Sequence, residues 1–404
     1  MNTVRLGDIA ELKTGPFGTQ LSAKEYVANG VPVINVKNIG YGNIIADELD
    51  FISQETCNRL SEHILQSGDI VFGRKGSVDR HAYIDEEHAG WFQGSDCIRV
   101  RANQGINSHY LSHYLKMNHI KKMVNNAAVG STMASLNTDI LKGIIVELPD
   151  IKVQDKIEML LSTIDEKIKN NEKINDNLLQ LATDIYDFWF AQFNYPNHQK
   201  LPYKSSGGAM YWNNYLNRQI SAEISDISVG DITICHDSKR IPLSSNERLK
   251  MQGNIPYYGA TGIMDYVDTH IFEGDYLLLA EDGSVMTSRG TPILQRIHGK
   301  TWVNNHAHVL EPVEGYSCLL LYMLLKDIPV VQIKTGSIQY KINQDNLNNY
   351  HVLNIPEYLR KLYIEKTSSI EQKILELRTE NQGLIHLRDW LLPLLMNGQA
   401  TIDD

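Results

Sequence analysis

The sequence predicts an α+β protein in which a globular segment and a long helix occur twice, with the two helices pairing as an antiparallel coiled coil. The repeat is indicated by the Gly-Asp pair at 68–69, which recurs at 274–275, and by the Gly-Ser pair at 130–131, which recurs at 336–337, both 206 residues further on. The helices are indicated because glycine and proline almost vanish after each globular segment. The chain therefore has the order globule, helix, globule, helix.

The repeat divides the chain into six segments. Short apolar runs broken by glycine, asparagine and proline predict mixed α+β structure for both globular segments. A polar stretch with glycine, serine and proline predicts a connector between the first helix and the second globule. The predicted segments are globule 1–149, helix 150–190, connector 191–220, globule 221–356, helix 357–396 and tail 397–404.

Apolar residues in both helical segments are spaced alternately four and three apart, which is the pattern of a coiled-coil seam. Asn171 interrupts the first seam with a polar side chain. A helix of roughly 40 residues is about 60 Å long, so two paired helices predict a rod. The predicted seam residues are Ile157, Leu161, Ile164, Ile168, Ile174, Leu178, Leu181, Ile185 and Phe188, then Ile370, Ile374, Leu377, Asn381, Leu384, Leu387, Leu391 and Leu394.

Composition restricts the possible functions. The 404 residues carry a formal net charge of −10, whereas free-standing nucleic-acid-binding domains are usually basic. The four cysteines, Cys57, Cys97, Cys235 and Cys318, form no C-x-x-C pair, so neither a disulfide framework nor a zinc site is expected. No apolar run approaches the ~20 residues of a membrane span, and the N-terminus lacks a signal pattern. We therefore expect a cytoplasmic protein without a membrane partner.

Motifs for catalysis are weak. Pro149-Asp150 followed by 165–167 (Asp-Glu-Lys) formally matches a magnesium-dependent nuclease pattern, but the second part lies in the predicted coiled coil. Residues 194–197 match an adenine methyltransferase loop only faintly, and neither a complete G-x-G-x-x-G segment nor a P-loop occurs. His306 and His308 lack a third ligand nearby in the sequence. We expect no catalytic residue, no metal ligand and no cofactor bound by this chain.

Two stretches carry a family resemblance. Two globular segments alternating with two long helices, together with LLQLATDIYDFWFAQF at 178–193 and LRDWLLPLLMNGQATI at 387–402, resemble the specificity subunit of type I restriction-modification systems. The resemblance implies two target-recognition domains, each reading one half of a split double-stranded DNA target. It also implies a non-catalytic subunit for phage defence, which directs adenine methylation and restriction by two adenine methyltransferase subunits and by motor-nuclease subunits. S-adenosylmethionine, ATP and Mg²⁺ would then be used by those partners.

The repeated loops supply the candidate DNA-binding residues. Both globules have Gly-Asp, an apolar run, a polar loop and Gly-Ser-Val, at 68–78 and at 274–285, but the first loop is basic and the second acidic. Different loops on one scaffold suit the distinct donor and acceptor pattern of each base pair in the major groove. The candidates are Lys13, Thr19, Gln20, Arg74, Lys75, Ser77, Arg80, Ser131, Thr132, Ser135, Asn137, Tyr257, Tyr258, Thr261, Glu281, Asp282, Ser284, Arg289, Ser337, Gln339, Tyr340 and Lys341.

The residues leave one other class of function open. A coiled-coil scaffold whose two globules bind protein or glycan fits the same pattern, and the acidic net charge favours it. Salt separates the two hypotheses, because binding to duplex DNA weakens steeply as ionic strength rises.

Overall fold

The chain is described by a computed structural model, which covers residues 2–16, 18, 20–128, 135–336 and 340–402. It forms two compact units. Unit 1 comprises residues 1–170 and 380–404, and unit 2 comprises residues 171–379. Each unit therefore contains one globular segment and one part of each long helix. The six predicted segment boundaries stay a prediction.

Three sheets build the globular part of unit 1 within the described residues. Its strands are β1 (Asn2–Arg5), β2 (Ala10–Thr14), β3 (Tyr26–Val27), β4 (Val31–Ile34), β5 (Tyr41–Gly42), β6 (Asp50–Ile52), β7 (Ile70–Gly73), β8 (His81–Tyr83), β9 (Phe92–Gln93), β10 (Cys97–Ala102) and β11 (Ile145–Leu148). The sheets have the orders β2-β10-β7-β8-β5, β3-β6-β4-β9 and β1-β11.

The part of unit 2 that the structure describes contains four sheets. Its strands are β12 (Met210–Asn213), β13 (Arg218–Ser221), β14 (Ser225–Ser228), β15 (Thr233–Cys235), β16 (Gln252–Tyr258), β17 (Ile263–Val267), β18 (Phe272–Ala280), β19 (Leu294–Val303), β20 (Ala307–Pro312), β21 (Lys334–Thr335), β22 (Lys341–Ile342) and β23 (His351–Asn354). The sheets have the orders β15-β20-β18-β19-β16-β17, β12-β13, β14-β23 and β21-β22.

Short helices cover the sheets and two long helices follow the globular segments. The helices are α1 (Leu6–Ile9), α2 (Gln54–Arg59), α3 (Ser108–Leu115), α4 (Asn118–Ala127), α5 (Thr138–Lys142), α6 (Ile151–Tyr186), α7 (Val229–Ile232), α8 (Ser245–Lys250), α9 (Cys318–Leu325), α10 (Gln344–Asn348) and α11 (Glu357–Met396). A π-helical turn at Asp187–Ala191 continues α6. None of the described helices combines the length and hydropathy that a membrane span requires.

The predicted internal repeat is confirmed by the sheet pairing. In unit 1, β1 pairs antiparallel with β11, and in unit 2 β14 pairs antiparallel with β23, so the first strand of each globule closes on its last. The central pairs β10-β7 and β20-β18 are both antiparallel. Each globule also places a buried eight-residue helix, α3 or α9, after its last central strand.

The two long helices pack antiparallel within each unit. In unit 1 the Arg388 guanidinium donates to the Asp165 carboxylate at 2.8 Å, and the Asn381 amide donates to the Ile168 carbonyl at 3.2 Å, so numbers rise along one helix as they fall along the other. In unit 2 the Tyr363 hydroxyl donates to the Ala182 carbonyl at 3.1 Å. The predicted helix pairing is therefore confirmed.

The predicted seam of α6 is correct up to Asn171 and correct in part beyond it, where Leu178 and Ile185 are partly buried against the core. In α11, Ile370, Ile374, Leu377 and Asn381 are buried as predicted. Ile157, Leu161, Ile164 and Ile168 are buried, whereas Ile174, Leu181 and Phe188 are exposed by 44%, 49% and 43%. A straight helix has about 3.6 residues per turn, so a strict alternation of four and three residues slowly rotates away from the face that packs on the partner helix. Residues spaced four apart take over the buried face beyond Asn171. The buried residues in their place are Ala182, Tyr186 and Phe190. In α11, Leu387 is likewise exposed, and Leu392, Leu395 and Met396 are buried.

The connector predicted at 191–220 is a folded part of unit 2. Tyr195, Tyr203 and Ile220 are buried in its core, and β12 and β13 form a hairpin. The Tyr195 ring stacks on the Tyr203 ring at 4.9 Å between centroids. Aromatic burial inside a glycine- and serine-rich stretch explains why composition alone suggested an open connector.

A group of histidines lies inside unit 1. The His81 Nε2 atom is 3.0 Å from the Ser112 hydroxyl, and the His109 ring stacks between Tyr83 and His113 at 4.2 and 4.8 Å. Burial lowers the pKa of His81 to about 3 and lowers the pKa of His113 well below its ordinary value. Both imidazoles are therefore neutral in the folded protein at neutral pH.

We expect unit 1 to lose stability in acid because of these histidines. In acid these histidines bind protons in the unfolded chain but not in the folded chain. The free energy of unfolding of unit 1 is therefore unaffected by them above about pH 6.5, and it falls as the pH drops from there towards 3. Each histidine contributes a slope of about 1.4 kcal/mol per pH unit in that window. When urea unfolding is measured from pH 7 to 4.5, the free energy of unfolding should fall less steeply with decreasing pH for His81→Asn than for the unchanged chain. His198→Asn, at an exposed position, is the control, and equal slopes would contradict the prediction.

Candidate nucleic-acid interface

The polar loop that follows β7 in unit 1 is joined to a second loop. The Leu136 amide donates to the Arg74 carbonyl at 2.8 Å, and Lys75 forms a β-bridge with Ser135. Two of the loops predicted from the repeat are therefore neighbours. Asn137 ends this second loop as the N-cap of α5, where its side-chain oxygen accepts from the Ile140 amide at 2.8 Å.

The loop that follows β18 in unit 2 is joined to its neighbour in the same way. The Ile342 amide donates to the Glu281 carbonyl at 2.8 Å, and Asp282 forms a β-bridge with Lys341. The two globules thus repeat a paired-loop arrangement as well as a sheet. We call residues 74–77 with 135–137, and residues 281–284 with 340–341, the paired loops of unit 1 and unit 2.

A glycine turn explains the repeated Gly-Ser-Val of both paired loops. Gly76 and Gly283 have φ angles of 78° and 75°, in the left-handed region that favours glycine. The valine two residues later, Val78 or Val285, is buried and anchors the end of the turn. The backbone geometry therefore explains why Gly-Ser-Val is the same in both units, while the two residues before it, Arg74-Lys75 and Glu281-Asp282, differ.

The two loops, which differ in charge, contact different partners. Lys75 pairs with Asp96 at 3.0 Å in unit 1, and Asp282 pairs with His306 at 2.5 Å in unit 2. Asp96 and His306 occupy equivalent positions, because their carbonyls accept from the amides of Arg74 and Glu281 at 2.7 and 2.9 Å. Surface pairs of this kind contribute only about 0–1 kcal/mol, so their members remain available to a ligand.

Glu281 differs from its neighbour because its carboxylate is buried. Arg240 donates to its Oε2 atom at 2.6 Å, and Lys341 lies 2.9 Å from its Oε1 atom. Burial acts to raise the pKa of Glu281, but the hydrogen bonds from Arg240 and Lys341 hold it below its ordinary value. Glu281 is therefore an ionised structural residue beneath the loop, rather than the predicted acceptor for a base edge.

A histidine site lies beside Glu281. His308 contacts the Asp237 carboxylate through Nδ1 at 2.5 Å and the Ile342 carbonyl through Nε2 at 2.8 Å. The expectation that His308 lacks further potential ligands is wrong, because the ligand atoms of Cys235, Asp237 and His308 lie within 4.8 Å of one another. Burial raises the pKa of the Cys235 thiol to about 12, and Arg240 pairs with Asp237 at 3.3 Å, which favours an ion-pair network over a metal centre.

An open cleft of about 650 Å³ brings the paired loops of unit 2 together with the turn after β16. Five predicted candidates line it, namely Thr261, Asp282, Ser284, Tyr340 and Lys341. Sequence reasoning missed Met264 as a lining residue, and it considered His306 only as a metal ligand. The Lys334 ammonium lies 3.3 Å from the centre of the Tyr340 ring, a cation–π contact that positions this aromatic side chain. The cleft thus combines donors, acceptors and an aromatic surface.

The remaining candidates are scattered. Lys13 pairs with Glu62 at 2.6 Å, Arg80 lies over the Tyr41 ring, and Tyr258 is half-buried. Tyr257 is buried in the core, where its hydroxyl accepts from the Leu243 amide at 3.0 Å, which contradicts its predicted place on a base-contacting surface. Gln20, Ser77 and Arg289 are exposed. Thr19, Ser131, Thr132, Ser337 and Gln339 lie outside the described residues.

Two residues of the nuclease-like pattern, Asp165 and Lys167, form ion pairs with residues of other segments in unit 1. Asp165 accepts from Arg388 at 2.8 Å and lies 3.7 Å from Lys116, while Lys167 pairs with Glu380 at 3.2 Å. The carboxylate that would bind magnesium is thus bound by two cations. This arrangement fits a structural role for the motif in the packing of α6 on α11.

Comparison with known proteins assigns the fold to a family. The model of the type I restriction modification DNA specificity domain matches residues 1–180 and 223–358, which together are most of the chain. The chain belongs to this family of restriction-modification specificity proteins.

Individual relatives agree in class. The type I restriction enzyme MjaIX specificity subunit of Methanocaldococcus jannaschii is 21% identical over 421 residues, covering 99% of this chain and 93% of the relative. A Haemophilus influenzae protein assigned as a type I restriction enzyme specificity subunit is 36% identical over 111 residues, which are 28% of each chain. The solved S subunit of a type I restriction-modification system from M. genitalium superposes with a TM-score of 0.49 at 17% identity, covering 98% of this chain and 96% of that one.

Proposed function

We propose that this chain is the DNA specificity subunit of a type I restriction-modification complex, in which unit 1 and unit 2 each read one half of a bipartite target. One observation carries the proposal: both units build the same paired loops on the same scaffold and place opposite charges at the equivalent positions Lys75 and Asp282. Two copies of one scaffold with different loop chemistry are what the reading of two different half-sites requires.

The loop chemistry suits base edges in the major groove. A lysine donates to guanine O6 and N7, and a carboxylate accepts from cytosine N4. The side chain of Lys75 is 48% exposed and that of Asp282 is 32% exposed, and DNA can replace the weak surface contacts that they make with Asp96 and His306. Thr261, Ser284 and Tyr340 add hydroxyl groups for base or phosphate contacts beside Asp282.

Catalysis in this proposal belongs to partner subunits. Two adenine methyltransferase subunits modify the target and motor-nuclease subunits cleave unmodified DNA, using S-adenosylmethionine, ATP and Mg²⁺, while this chain supplies recognition in the cytoplasm without binding a cofactor. Family membership supports this division of labour. The net charge of −10 fits a subunit that acts on DNA within a larger complex whose partners contribute positive charge.

The test is the methylation motif of the complex with each loop changed separately. Lys75→Glu should alter the bases accepted in one half of the target, and Asp282→Lys those in the other half, because each variant reverses a charge in one unit only. Affinity for the original half-site should fall roughly 10- to 100-fold, as expected for a lost base contact of about 1–3 kcal/mol. Sequencing of methylated adenines in DNA modified by each complex gives the motif directly.

The controls reverse exposed charges elsewhere in the same unit. Lys24→Glu and Asp268→Lys should leave both halves of the motif unchanged. A change in both halves caused by one loop variant would contradict separate reading by the two units. Binding by the unchanged complex that does not weaken with added salt would favour a protein- or glycan-binding scaffold instead.

A further inference from the structure

A second cleft, of about 290 Å³, lies in unit 1 between α4 and the end of α11. Lys116, Lys121 and Arg388 supply cations to it, and Tyr41 forms part of its wall. The Tyr41 ring is 50% exposed and is contacted by the Arg80 guanidinium at 4.9 Å and by the Lys121 ammonium at 4.6 Å. Three cationic side chains therefore line one small cleft, and a fourth, that of Arg80, contacts the tyrosine ring in its wall.

The carboxylates of the cleft are already engaged by two of these cations. Asp165 is shared by Arg388 at 2.8 Å and Lys116 at 3.7 Å, and Asp389 accepts from Arg388 at 2.8 Å. Asp79 and Asp389 act on Lys121 only through their more distant charges. Lys121 forms no ion pair within 4 Å among the residues that the structure describes, so its positive charge is not neutralised by direct contact.

Two shielded nitrogen atoms, one on His113 in the cleft and one on Arg80 beside its Tyr41 wall, also lack partners. The Nε atom of Arg80 and the Nε2 atom of His113 are buried without a hydrogen-bond partner in the described part of the chain. Buried polar groups are almost always hydrogen-bonded, so such atoms indicate a missing ligand atom, ion or water. Burial lowers the pKa of Lys121 and of Lys116, which is the effect that a bound anion would oppose.

We propose that this cleft binds a phosphate group, which pairs with the Lys121 ammonium and with the Arg80 guanidinium, the two cations that contact the Tyr41 ring. The DNA backbone is the source that the fold favours, because Arg80 follows the first loop of the unit 1 paired loops along the chain and α4 precedes their second loop, residues 135–137. This choice of source rests on the proposed function, whereas the phosphate chemistry does not.

The test compares two neighbouring lysines of α4 in the full-length chain assembled with its methyltransferase partner. Lys121→Gln should weaken binding to target and non-target duplexes by the same factor, about fivefold, because a phosphate contact carries no sequence information. The slope of log affinity against log salt should become shallower by about 0.9, the value for one lost phosphate contact. The methylation motif should stay unchanged. Lys122→Gln, an exposed lysine on the same helix, is the matched control and should change neither quantity.

A second arm titrates inorganic phosphate into the full-length chain alone. Lys121→Gln could bind phosphate more weakly than Lys122→Gln while the two variants have equal DNA affinity and equal salt slope. This result would support the phosphate site and assign it to a free phosphorylated molecule. Equal results for the two variants in both arms would overturn the proposal. Reduced assembly with the methyltransferase subunit alone would also overturn it and identify an acidic protein surface as the occupant. Because the second arm contains no DNA, its result can be interpreted even if the proposed function is wrong.

Discussion

Tyr363→Ala is expected to lower the free energy of unfolding of unit 2 by about 3–5 kcal/mol, the range for loss of a large aromatic side chain from a core. Tyr363 of α11 is fully buried, and its ring lies 6.1, 6.2 and 5.7 Å from those of Tyr186, Trp189 and Phe190. The change leaves a cavity where the two long helices meet and also removes the hydrogen bond to the Ala182 carbonyl.

Tyr363→Phe separates these two effects. It keeps the ring and removes only the hydrogen bond, so we expect a loss of about 1 kcal/mol. Urea unfolding followed by tryptophan fluorescence measures both variants, with Trp189 beside the site as a reporter. Equal losses for the two variants would show that the hydrogen bond, and not the packing of the ring, stabilises this part of the helix pair.

Glu281→Ala is expected to destabilise unit 2 by about 3 kcal/mol. Breaking a buried ion pair by removing one partner costs about 3–5 kcal/mol, because a buried charge is left behind. We expect the lower end of that range because Asp237 still lies 3.3 Å from Arg240 and neutralises part of its charge. Thermal or urea unfolding of the variant gives the value.

An exposed glutamate of β18 provides the comparison. Glu273 lies 3.4 Å from His270 and its side chain is 64% exposed, so Glu273→Ala should cost less than about 1 kcal/mol. A loss as small for Glu281→Ala would mean that the carboxylate contributes little to the fold. In that case Glu281 would return to the set of side chains available for DNA.

The repeat and the α+β class could be predicted because they depend on local chemistry. Gly76 and Gly283 are fixed by a backbone angle, and the valine that follows each turn is fixed by burial, so both leave a pattern in the sequence. The first half of α6 follows the seam spacing for the same reason. Sheet order was not predictable, since it depends on pairing between strands far apart in the chain, such as β2 with β10.

The candidate site was predicted at the level of loops but not of single side chains. Glu281 and Asp282 are adjacent and both acidic, yet one is buried and the other lines a cleft. The difference arises because Arg240 reaches Glu281 from a distant segment, and no spacing rule connects them. Likewise, the pairing of Lys75 with Asp96 exists only after folding, because the two residues lie on separate loops.

The different partners of the two paired loops also have a consequence for exchanging loops between the two units. A transplant of residues 281–284 onto positions 74–77 would set a carboxylate at position 75 opposite Asp96, where an ammonium now lies 3.0 Å away. Two exposed like charges at that separation repel weakly, so the grafted loop would also lose the stabilisation of about 0–1 kcal/mol that the native pair supplies. If the paired loops read DNA as proposed, the unit to be exchanged is discontinuous in the chain, because a loop has to be moved together with the residue at position 96 or 306 that it contacts.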